Sequence, residues 1–497
     1  MKEDRRLFWG AEDYGTTPKS SARSSEPGRQ GNSAALTAGI IIADVVGCGI
    51  LAMGDAVAKL GWLLGTVVIV ALLGMNVHIT LLLWRVHRLH PEARTYLELA
   101  TAAFAEAPPQ QLRFVQLVVG GSQHCFIFCA LGLYGLSSGQ GLGMLFYDSQ
   151  VCLPFLTLAF CALLLPFNLS ARKLGTLSGA IWVNCAATLG AICIPIAYLA
   201  SQGAEITRSR DSKFLAVADD MNISSAVSAL TTCAFAFCGQ FIMVEIISEM
   251  RDSSEFPKAY MCSSSIQGIS FLFVGLMVYY YRGSEASGML LSALPFNAVT
   301  RLAALCLVTH MLITYVIKSI VLCQSVASRL RESQLIEQSQ GQAQWYFIVV
   351  SVVTASWLVA QVVPFFTLLV DLLGATFVPL SCFIIPICLF LRCLWDSSLN
   401  RSDVSSLELL VLALEIGLSV GLMLVGTCKT LRSIGQQWET FGPPFACHCE
   451  NMWNSCACSR SRIPECPAGS GVLLSLWNQS ASMGYVGPAD QILSFVS

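Results

Sequence analysis

An aspartate and two glycines lie within six residues of one another inside the first long apolar run of the sequence. Asp44 precedes Gly47 and Gly49, about eight residues after the run begins near Leu36. A carboxylate at the bilayer centre costs at least about 2.5 kcal/mol, and each glycine inside a helix costs about 1 kcal/mol. The pattern predicts an interrupted helix whose amides bind an anionic group, with Asp44 protonatable or cation-binding. The alternative is a packed glycine pair beside an aspartate that reaches toward the surface.

A second interruption is predicted in the sixth apolar run. There Phe237 and Cys238 are followed by Gly239 and the polar Gln240, and Glu245 lies further along, deep enough to face a cavity or an internal partner. Interruptions in the first and sixth runs are five runs apart. That spacing is what a five-plus-five inverted repeat requires, with a substrate held between two broken helices at the midplane.

The composition places most of the chain in a lipid bilayer. Of its 497 residues, 55% are hydrophobic and 12% are charged, whereas a soluble domain has about 25% charged residues. The net charge of −2 offers no basic surface for nucleic acid, so no nucleic-acid partner is expected. A bilayer core of about 30 Å needs roughly 20 apolar residues per helix. Runs of this kind are predicted near 36–57, 61–84, 114–138, 151–167, 175–200, 224–248, 261–281, 302–324, 344–363, 366–391 and 407–430.

The predicted fold class is therefore an all-α membrane protein with about 11 transmembrane helices, arranged as two inverted five-helix repeats plus one C-terminal helix. Its segments are a disordered cytosolic tail (1–33), a core (34–395, with repeats at about 34–200 and 222–395), the eleventh helix with its preceding loop (396–431) and a Cys-rich extracytoplasmic tail (432–497).

The orientation is predicted from lysine and arginine in the loops. With both tails excluded, 12 of these residues fall in loops on the side of the N-terminus and 6 in the other loops, which favours a cytosolic N-terminus. Eleven spans then place the C-terminus on the extracytoplasmic side. The membrane is predicted to be a plasma membrane or a vacuolar or lysosomal type of membrane. In that oxidising space disulfides are favoured over a metal site or unpaired thiols for Cys447, Cys449, Cys456, Cys458 and Cys466.

Three groups of residues, in this order and spacing, resemble the amino acid/auxin permease family, a branch of the LeuT-like transporters. They are GCGILA (47–52) with LGW (60–62), FAFCGQ (235–240) with EIISEM (245–250) and FPKA (256–259), and LGA (373–375) with PL (379–380). The resemblance covers roughly residues 35–395. It implies secondary active transport of amino acids, with substrate contacts at Val46, Gly47, Cys48, Gly49, Ile50, Phe237, Cys238, Gly239 and Gln240. Thr309, in the eighth run, is a further candidate because of its depth.

Departures from the family pattern bear on the coupling ion. The sodium-coupled branch usually has asparagine four residues before the first glycine, where this chain has Ala43, with Asp44 next to it. Gln240 stands where relatives commonly have histidine. We expect protons rather than sodium to drive transport, with Asp44 and Glu245 as the ion-coupling residues. Sodium coupling is the alternative.

The two other classes of function to compare with transport are an amino acid sensor and an enzyme. An amino acid sensor would use the same pocket to gate a partner, with the N-terminal tail as its signalling segment, and would transport little. An enzyme is not expected, because the spans contain no HExxH, no GxSxG and no cluster of histidines and carboxylates. No cofactor or resident metal is predicted. The expected partners are an amino acid substrate and the lipid bilayer, and the expected transport unit is a monomer.

Overall fold

The computed structural model describes residues 31–45, 47–146, 151–170, 178–208, 212–286, 288–295, 297–332, 341–396, 404–441 and 444–445. Within these ranges the regular structure is helical, apart from one isolated β-bridge. The α-helices are α1 (Ala34–Val45), α2 (Met53–Leu60), α3 (Trp62–Leu89), α4 (Tyr96–Ala103), α5 (Pro109–Leu145), α6 (Leu153–Ser170), α7 (Ser178–Gln202), α8 (Ala204–Thr207), α9 (Ile223–Ala236), α10 (Gln240–Ser248), α11 (Phe256–Arg282), α12 (Ala298–Glu332), α13 (Gln342–Val362), α14 (Phe366–Val378), α15 (Ile385–Trp395) and α16 (Ser406–Phe441).

The predicted count of about eleven spans is confirmed. In the described part of the chain, ten helical segments are long and apolar enough to cross a bilayer. The eleventh is the predicted first span, which is divided into α1 and α2, so neither piece has the required length alone. Helices suit this environment because they satisfy their backbone groups internally, away from water.

Irregular backbone occurs in the first, sixth and tenth spans. The first is divided between α1 and α2, and the sixth between α9 and α10. In the tenth, a π-helical segment, Pro379–Ile384, joins α14 to α15, and Pro386 follows within the next turn. Proline has no N–H to donate to the preceding turn, which favours such a local widening of the helix. The first and sixth spans occupy equivalent positions in two groups of five.

The two ends of the bundle differ in their loops. We call the end at which α1 begins the N face, and the opposite end the distal face. Loop contacts place Asn32, Arg94 and Arg251 at the N face, and Leu60, Ala218 and Arg282 at the distal face.

The sixth span lies at the centre of the bundle and α16 at its edge. In the most apolar stretch of the sixth span 72% of residues are buried, against 28% for α16. A polar contact holds α16 to α3, since His78 Nδ1 lies 2.8 Å from Glu415 Oε1 and Arg85 donates to Glu408 at 2.7 Å. This contact accounts for the carboxylate in the predicted eleventh span.

The last helix extends past its predicted end at residue 430, to Phe441. The Trp438 indole N–H donates to the Val362 carbonyl at 2.9 Å, which fixes the added turns against the end of α13. Tryptophan is favoured where an apolar helix meets the polar interface.

Most of the described cysteines form no disulfide. Cys152, which directly precedes α6, is disulfide-bonded, and the fifteen other described cysteines are not. The five C-terminal cysteines lie outside the described residues, so their pairing stays a prediction.

Candidate functional site

The first predicted interruption is present. The α-helix ends at Val45, and the chain continues as a 3-10 segment, Cys48–Ala52, before α2 begins. All five residues of that segment are buried, including Ile50, which is 1% exposed. The Cys48 thiol lies 3.6 Å from the Ser137 hydroxyl of α5. The break therefore faces the helix bundle.

Two predicted residues of this region cannot be compared with the structure. Val46 lies outside the described residues, and so does the side chain of Asp44, although its backbone belongs to α1. Their substrate-binding and ion-coupling roles stay predictions. The neighbouring Gly47 is buried and precedes the 3-10 segment, and its carbonyl accepts from Ile50 N at 3.3 Å.

The second predicted interruption is also present, between the end of α9 at Ala236 and the start of α10 at Gln240. The Gln240 side chain forms hydrogen bonds that stabilise this interruption. Its Oε1 accepts a hydrogen bond from Gly239 N at 3.1 Å, and its amide nitrogen donates to Asn76 Oδ1. Asn76 in turn donates to the Tyr260 hydroxyl at 2.8 Å. Because a buried, unpaired amide is costly, this chain of bonds stabilises the irregular backbone.

The two breaks contact each other directly. A Cβ built on Gly49 would lie 2.5 Å from Ala236 Cα and 2.8 Å from Ala236 Cβ, closer than any side chain tolerates. Gln267 donates to the Ala236 carbonyl at 3.3 Å from the neighbouring α11. Only glycine at position 49 permits this approach. The sequence GCG therefore both interrupts the first helix and allows Ala236 of the sixth span to pack against it.

Aromatic rings surround the second break. Phe237 is 1% exposed, and its ring centroid lies 5.0 Å from that of Phe271. Phe126 of α5 packs against Phe241 with a centroid distance of 4.7 Å. Cys238, which directly follows Phe237 in the sequence, is half-buried. These rings supply an apolar part of the surroundings of the break, and the Lys318 ammonium group lies 6.0 Å from the Phe241 ring centroid.

Glu245 lies one and a half turns beyond the second break, toward the N face. Its Oε1 accepts from Tyr96 N at 3.1 Å and from the Gln123 side chain at 3.4 Å, and its Oε2 is buried without a hydrogen-bond partner. Gln123 also donates to the Phe241 carbonyl at 2.9 Å. Both donors to Glu245 are neutral.

On the eighth span, the inward polar contacts belong to His310 rather than to Thr309. The Thr309 hydroxyl donates to the Leu305 carbonyl of its own helix, 2.8 Å away, and the residue is half-buried. His310 is 2% exposed, and its Nδ1 lies 2.7 Å from both Asn184 Oδ1 and Thr188 Oγ1 of α7. The predicted contact of Thr309 with substrate remains a prediction.

A charge network with two buried aspartates, which the sequence alone did not predict, joins four helices in the distal half. Lys59 of α2 donates to Asp55 at 2.6 Å and to the Ser228 hydroxyl of α9 at 2.9 Å. Ser228 in turn donates to Asp371 of α14, and Lys429 of α16 lies 3.4 Å from the same carboxylate. Asp371 also accepts from Thr231 and Thr232, at 2.8 and 2.9 Å. A lone aspartate within the tenth apolar run was the available signal.

The structure thus brings together most of the predicted substrate-binding residues. Positions 47–50 and 237–240 meet at the contact between Gly49 and Ala236. Glu245 lies nearby on the N-face half of the sixth span, whereas the charge network lies on the distal half.

Comparison with known proteins assigns the class. The sequence model of the family described as "Transmembrane amino acid transporter protein" matches residues 30–431, which is most of the chain. The protein belongs to this family. It is accordingly a multi-pass integral membrane protein of a transporter family and not an enzyme.

Individual relatives are distant but span much of the sequence. The chain is 22% identical to "Amino acid transporter ANT1" of Arabidopsis thaliana, over 73% of this chain and 85% of that protein. It is 22% identical to "Amino acid transporter AVT1B" of the same plant, over 79% and 70% of the two chains. It is 21% identical to the "N amino acid transport system protein" of Neurospora crassa, over 46% of this chain and about half (49%) of that protein.

A solved structure supports the predicted fold. The crystal structure of MhsT in complex with L-phenylalanine superposes with a TM-score of 0.51, covering 82% of this chain and 99% of MhsT. The sequence identity is 15%, so the similarity concerns the fold alone. It agrees with the predicted LeuT-like architecture.

Proposed function

We propose that this protein transports amino acids across a membrane by alternating access, at a midplane site between its two broken helices, and that protons drive the transport. The observation that carries the proposal is the direct contact of the two breaks at Gly49 and Ala236. Irregular backbone at membrane depth is tolerated where it is buried in protein or lines a cavity, and helix ends meeting there supply opposite partial charges.

These helix ends match the two charged groups of an amino acid. The positive N-terminal end of the 3-10 segment and α2 follows Gly47, where amides can hold a carboxylate. The C-terminal end of α9 at Ala236 carries the negative end of its dipole, where carbonyls can hold an ammonium group. A zwitterion placed between them contacts both ends at once.

The described side chains around the breaks favour a neutral substrate. Four side chains that contact the breaks or their backbone, Asn76, Ser137, Gln267 and Phe271, are uncharged, and one described cation, Lys318, lies 6.0 Å from the Phe241 ring centroid beyond the second break. A substrate with a charged side chain would lose its hydration there without gaining a counter-charge from these four side chains. We therefore expect transport of neutral amino acids, with aromatic and aliphatic side chains preferred.

The charge network closes the distal face in this conformation. Lys59 connects α2 to α9 through Ser228, and Asp371 connects α9 to α14. Opening toward the distal face requires α2 to move away from α9, so the bond from Lys59 to Ser228 must break. The energy for this step comes from binding substrate and ion.

Glu245 and Asp44 are the proposed proton carriers. Glu245 is held by two neutral donors, so it can gain a proton without breaking an ion pair among its described contacts. Protonation removes a charge that would otherwise be buried during passage through the closed state. Asp44, within the last turn of α1 before the first break, would act in the same way.

We further propose that the N face is cytosolic. The 12-to-6 excess of loop lysine and arginine on that side supports this orientation. Protons would then enter with substrate from the distal face, whether that face borders the exterior or the lumen of an acidic organelle.

Uptake into proteoliposomes tests the proposal. Purified protein is reconstituted, and a panel of labelled neutral, acidic and basic amino acids is offered with and without an imposed inward proton gradient. We expect the gradient to increase uptake of neutral substrates above that of protein-free liposomes. Uptake that requires sodium instead would establish sodium coupling, and binding without uptake would favour a sensor.

A further inference from the structure

The only β-bridge in the described ranges lies at the N face, between the start of the chain's described part and the end of the sixth span. Asn32 N donates to the Glu249 carbonyl at 2.9 Å, and Arg251 N donates to the Asn32 carbonyl at 3.0 Å. These two bonds form a short parallel pairing of backbone between residues that are more than 200 positions apart. We refer to it as the N-face bridge.

Gly31 lets the two backbones approach this closely. A Cβ at position 31 would lie 2.6 Å from Arg251 N, 2.7 Å from Arg251 Cα and 2.9 Å from Met250 C. All three are backbone atoms, so the clash cannot be relieved by rotating a side chain. Any larger residue at position 31 must displace the bridge.

The bridge lies within three residues of the N-face ends of both α1 and α10, so it connects these two helices closely. On one side, Ser33 directly follows Asn32 and immediately precedes α1, and its carbonyl accepts the first hydrogen bond of that helix from Thr37 N at 2.9 Å. On the other side, Glu249 directly follows the end of α10 at Ser248, and its amide donates to the Ile246 carbonyl at 3.3 Å. Separation of α1 from α10 at the N face therefore breaks both bridge bonds.

We propose that the N-face bridge is a latch that holds the N face closed, and that Gly31 is the residue whose size sets its strength. The inference rests on the proposed function, because it assigns a gate to the same midplane site. Opening of the N face then requires the loss of two hydrogen bonds between the segment that precedes α1 and the segment that follows α10.

The matched variants are Gly31→Ala and Gly39→Ala. A Cβ at Gly39, in α1, would meet no atom within 4 Å, so that variant adds the same methyl group without a clash. Asn32→Pro is a second route to the same end, because proline removes the N–H that donates to Glu249. It keeps the test available if Gly31→Ala does not fold.

Amide hydrogen exchange, recorded on the full-length protein in lipid nanodiscs, measures how well the two backbone N–H groups of the bridge are protected. In the wild type and in Gly39→Ala, we expect the amides of Asn32 and Arg251 to be protected. In Gly31→Ala, we expect their exchange to speed up by about tenfold, as loss of one to two backbone hydrogen bonds implies. Unprotected amides in the wild type would overturn the proposal.

Labelling of Cys48 by N-ethylmaleimide, quantified by peptide mass spectrometry, reads opening without requiring transport. Cys48 is 4% exposed and lies in the first break, so its reaction with an aqueous thiol reagent reports access to the midplane. We expect Gly31→Ala and Asn32→Pro to label about five to ten times faster than Gly39→Ala. Equal labelling rates, despite lost amide protection, would show that the bridge is not a latch.

The two proposals fail in distinguishable ways. If the wild type moves no amino acid into proteoliposomes, the proposed function fails, but exchange and labelling still measure the bridge. If uptake is normal and Gly31→Ala matches Gly39→Ala in labelling, the latch fails and the proposed function stands.

Discussion

Gly49 lies against Ala236 so closely that a methyl group on the glycine would come within 2.5 Å of the alanine Cα. Gly49 lies in the 3-10 segment at the first break, and Ala236 is the last residue of α9, directly before the second break. Their contact fixes the distance between the two helix ends that we propose bind the substrate. Changes at this contact should therefore alter transport more than they alter the fold.

Gly49→Ala is expected to lower uptake of neutral amino acids by at least about tenfold. The added methyl group forces the breaks apart, and overpacking of this kind also costs about 1–3 kcal/mol of stability. Gly135→Ala is the control, because Gly135 is also buried and a Cβ there would meet nothing within 4 Å. Uptake and unfolding temperature are measured for both. Equal uptake by the two variants would argue against a substrate site at this contact.

Gln240→Ala is expected to lower stability by about 1–3 kcal/mol, since it leaves Gly239 N and Asn76 Oδ1 without their partner in a buried region. The control is Gln342→Ala. Gln342 is exposed and its amide donates to Tyr346 one turn away, so a change near zero is expected there. The measurement is the thermal unfolding temperature in detergent. An unfolding temperature of Gln240→Ala equal to that of the wild type would mean that the side chain does not stabilise the break.

Asp371→Asn should weaken closure of the distal face. Asp371 is 1% exposed and accepts from three hydroxyls, so loss of its charge leaves Lys59 and Lys429 with less compensation. We expect about 3 kcal/mol of lost stability, as for other buried ion pairs from which one partner is removed. Thermal unfolding reports the loss.

The control for that variant is Asp219→Asn. Asp219 pairs with Lys213 at 2.7 Å, and hydrogen bonding to Asp219 raises the pKa of Lys213, but both side chains are more than half exposed. Exposed pairs contribute little because water and salt screen them. No resolvable change in the unfolding temperature is expected for Asp219→Asn. Equal losses of stability in the two variants would contradict a role of the charge network in closing the distal face.

Glu245→Gln is expected to keep substrate binding and to lose the response to a proton gradient. A glutamine oxygen can still accept from Tyr96 N, so the shape of the site is preserved while the titrating group is removed. Uptake by the wild type should rise as the pH on the distal side falls, and uptake by the variant should be flat. Glu98→Gln, at an exposed carboxylate of α4, is the control. A variant that keeps the wild-type pH response would exclude Glu245 as a carrier.

The sequence predicted the features that are local to one helix. Apolar runs of bilayer length gave the span count, and Gly47, Gly49 and Gly239 gave both interruptions, because glycine and charge in an apolar helix have a strong local cost. The long final helix was shortened in the prediction, since its last turns are polar and depend on a contact from Trp438 to another helix.

Contacts between distant parts of the chain could not be predicted. The role of Gln240 in closing its own break depends on Asn76 of α3, and the distal network depends on the rotation of four helices. The same limit applies to Thr309 and His310, adjacent residues of which only His310 makes contacts to another helix in the described hydrogen bonds. Helix rotation is set by tertiary packing, which one sequence does not specify.

The most direct test of the central claim records proton movement itself. Proteoliposomes containing a trapped pH-sensitive dye are given a neutral amino acid without any imposed gradient and without sodium. We predict acidification of the interior that depends on the amino acid and is absent for Asp44→Asn and Glu245→Gln. Amino acid uptake with no change of internal pH would contradict proton-coupled transport by this protein.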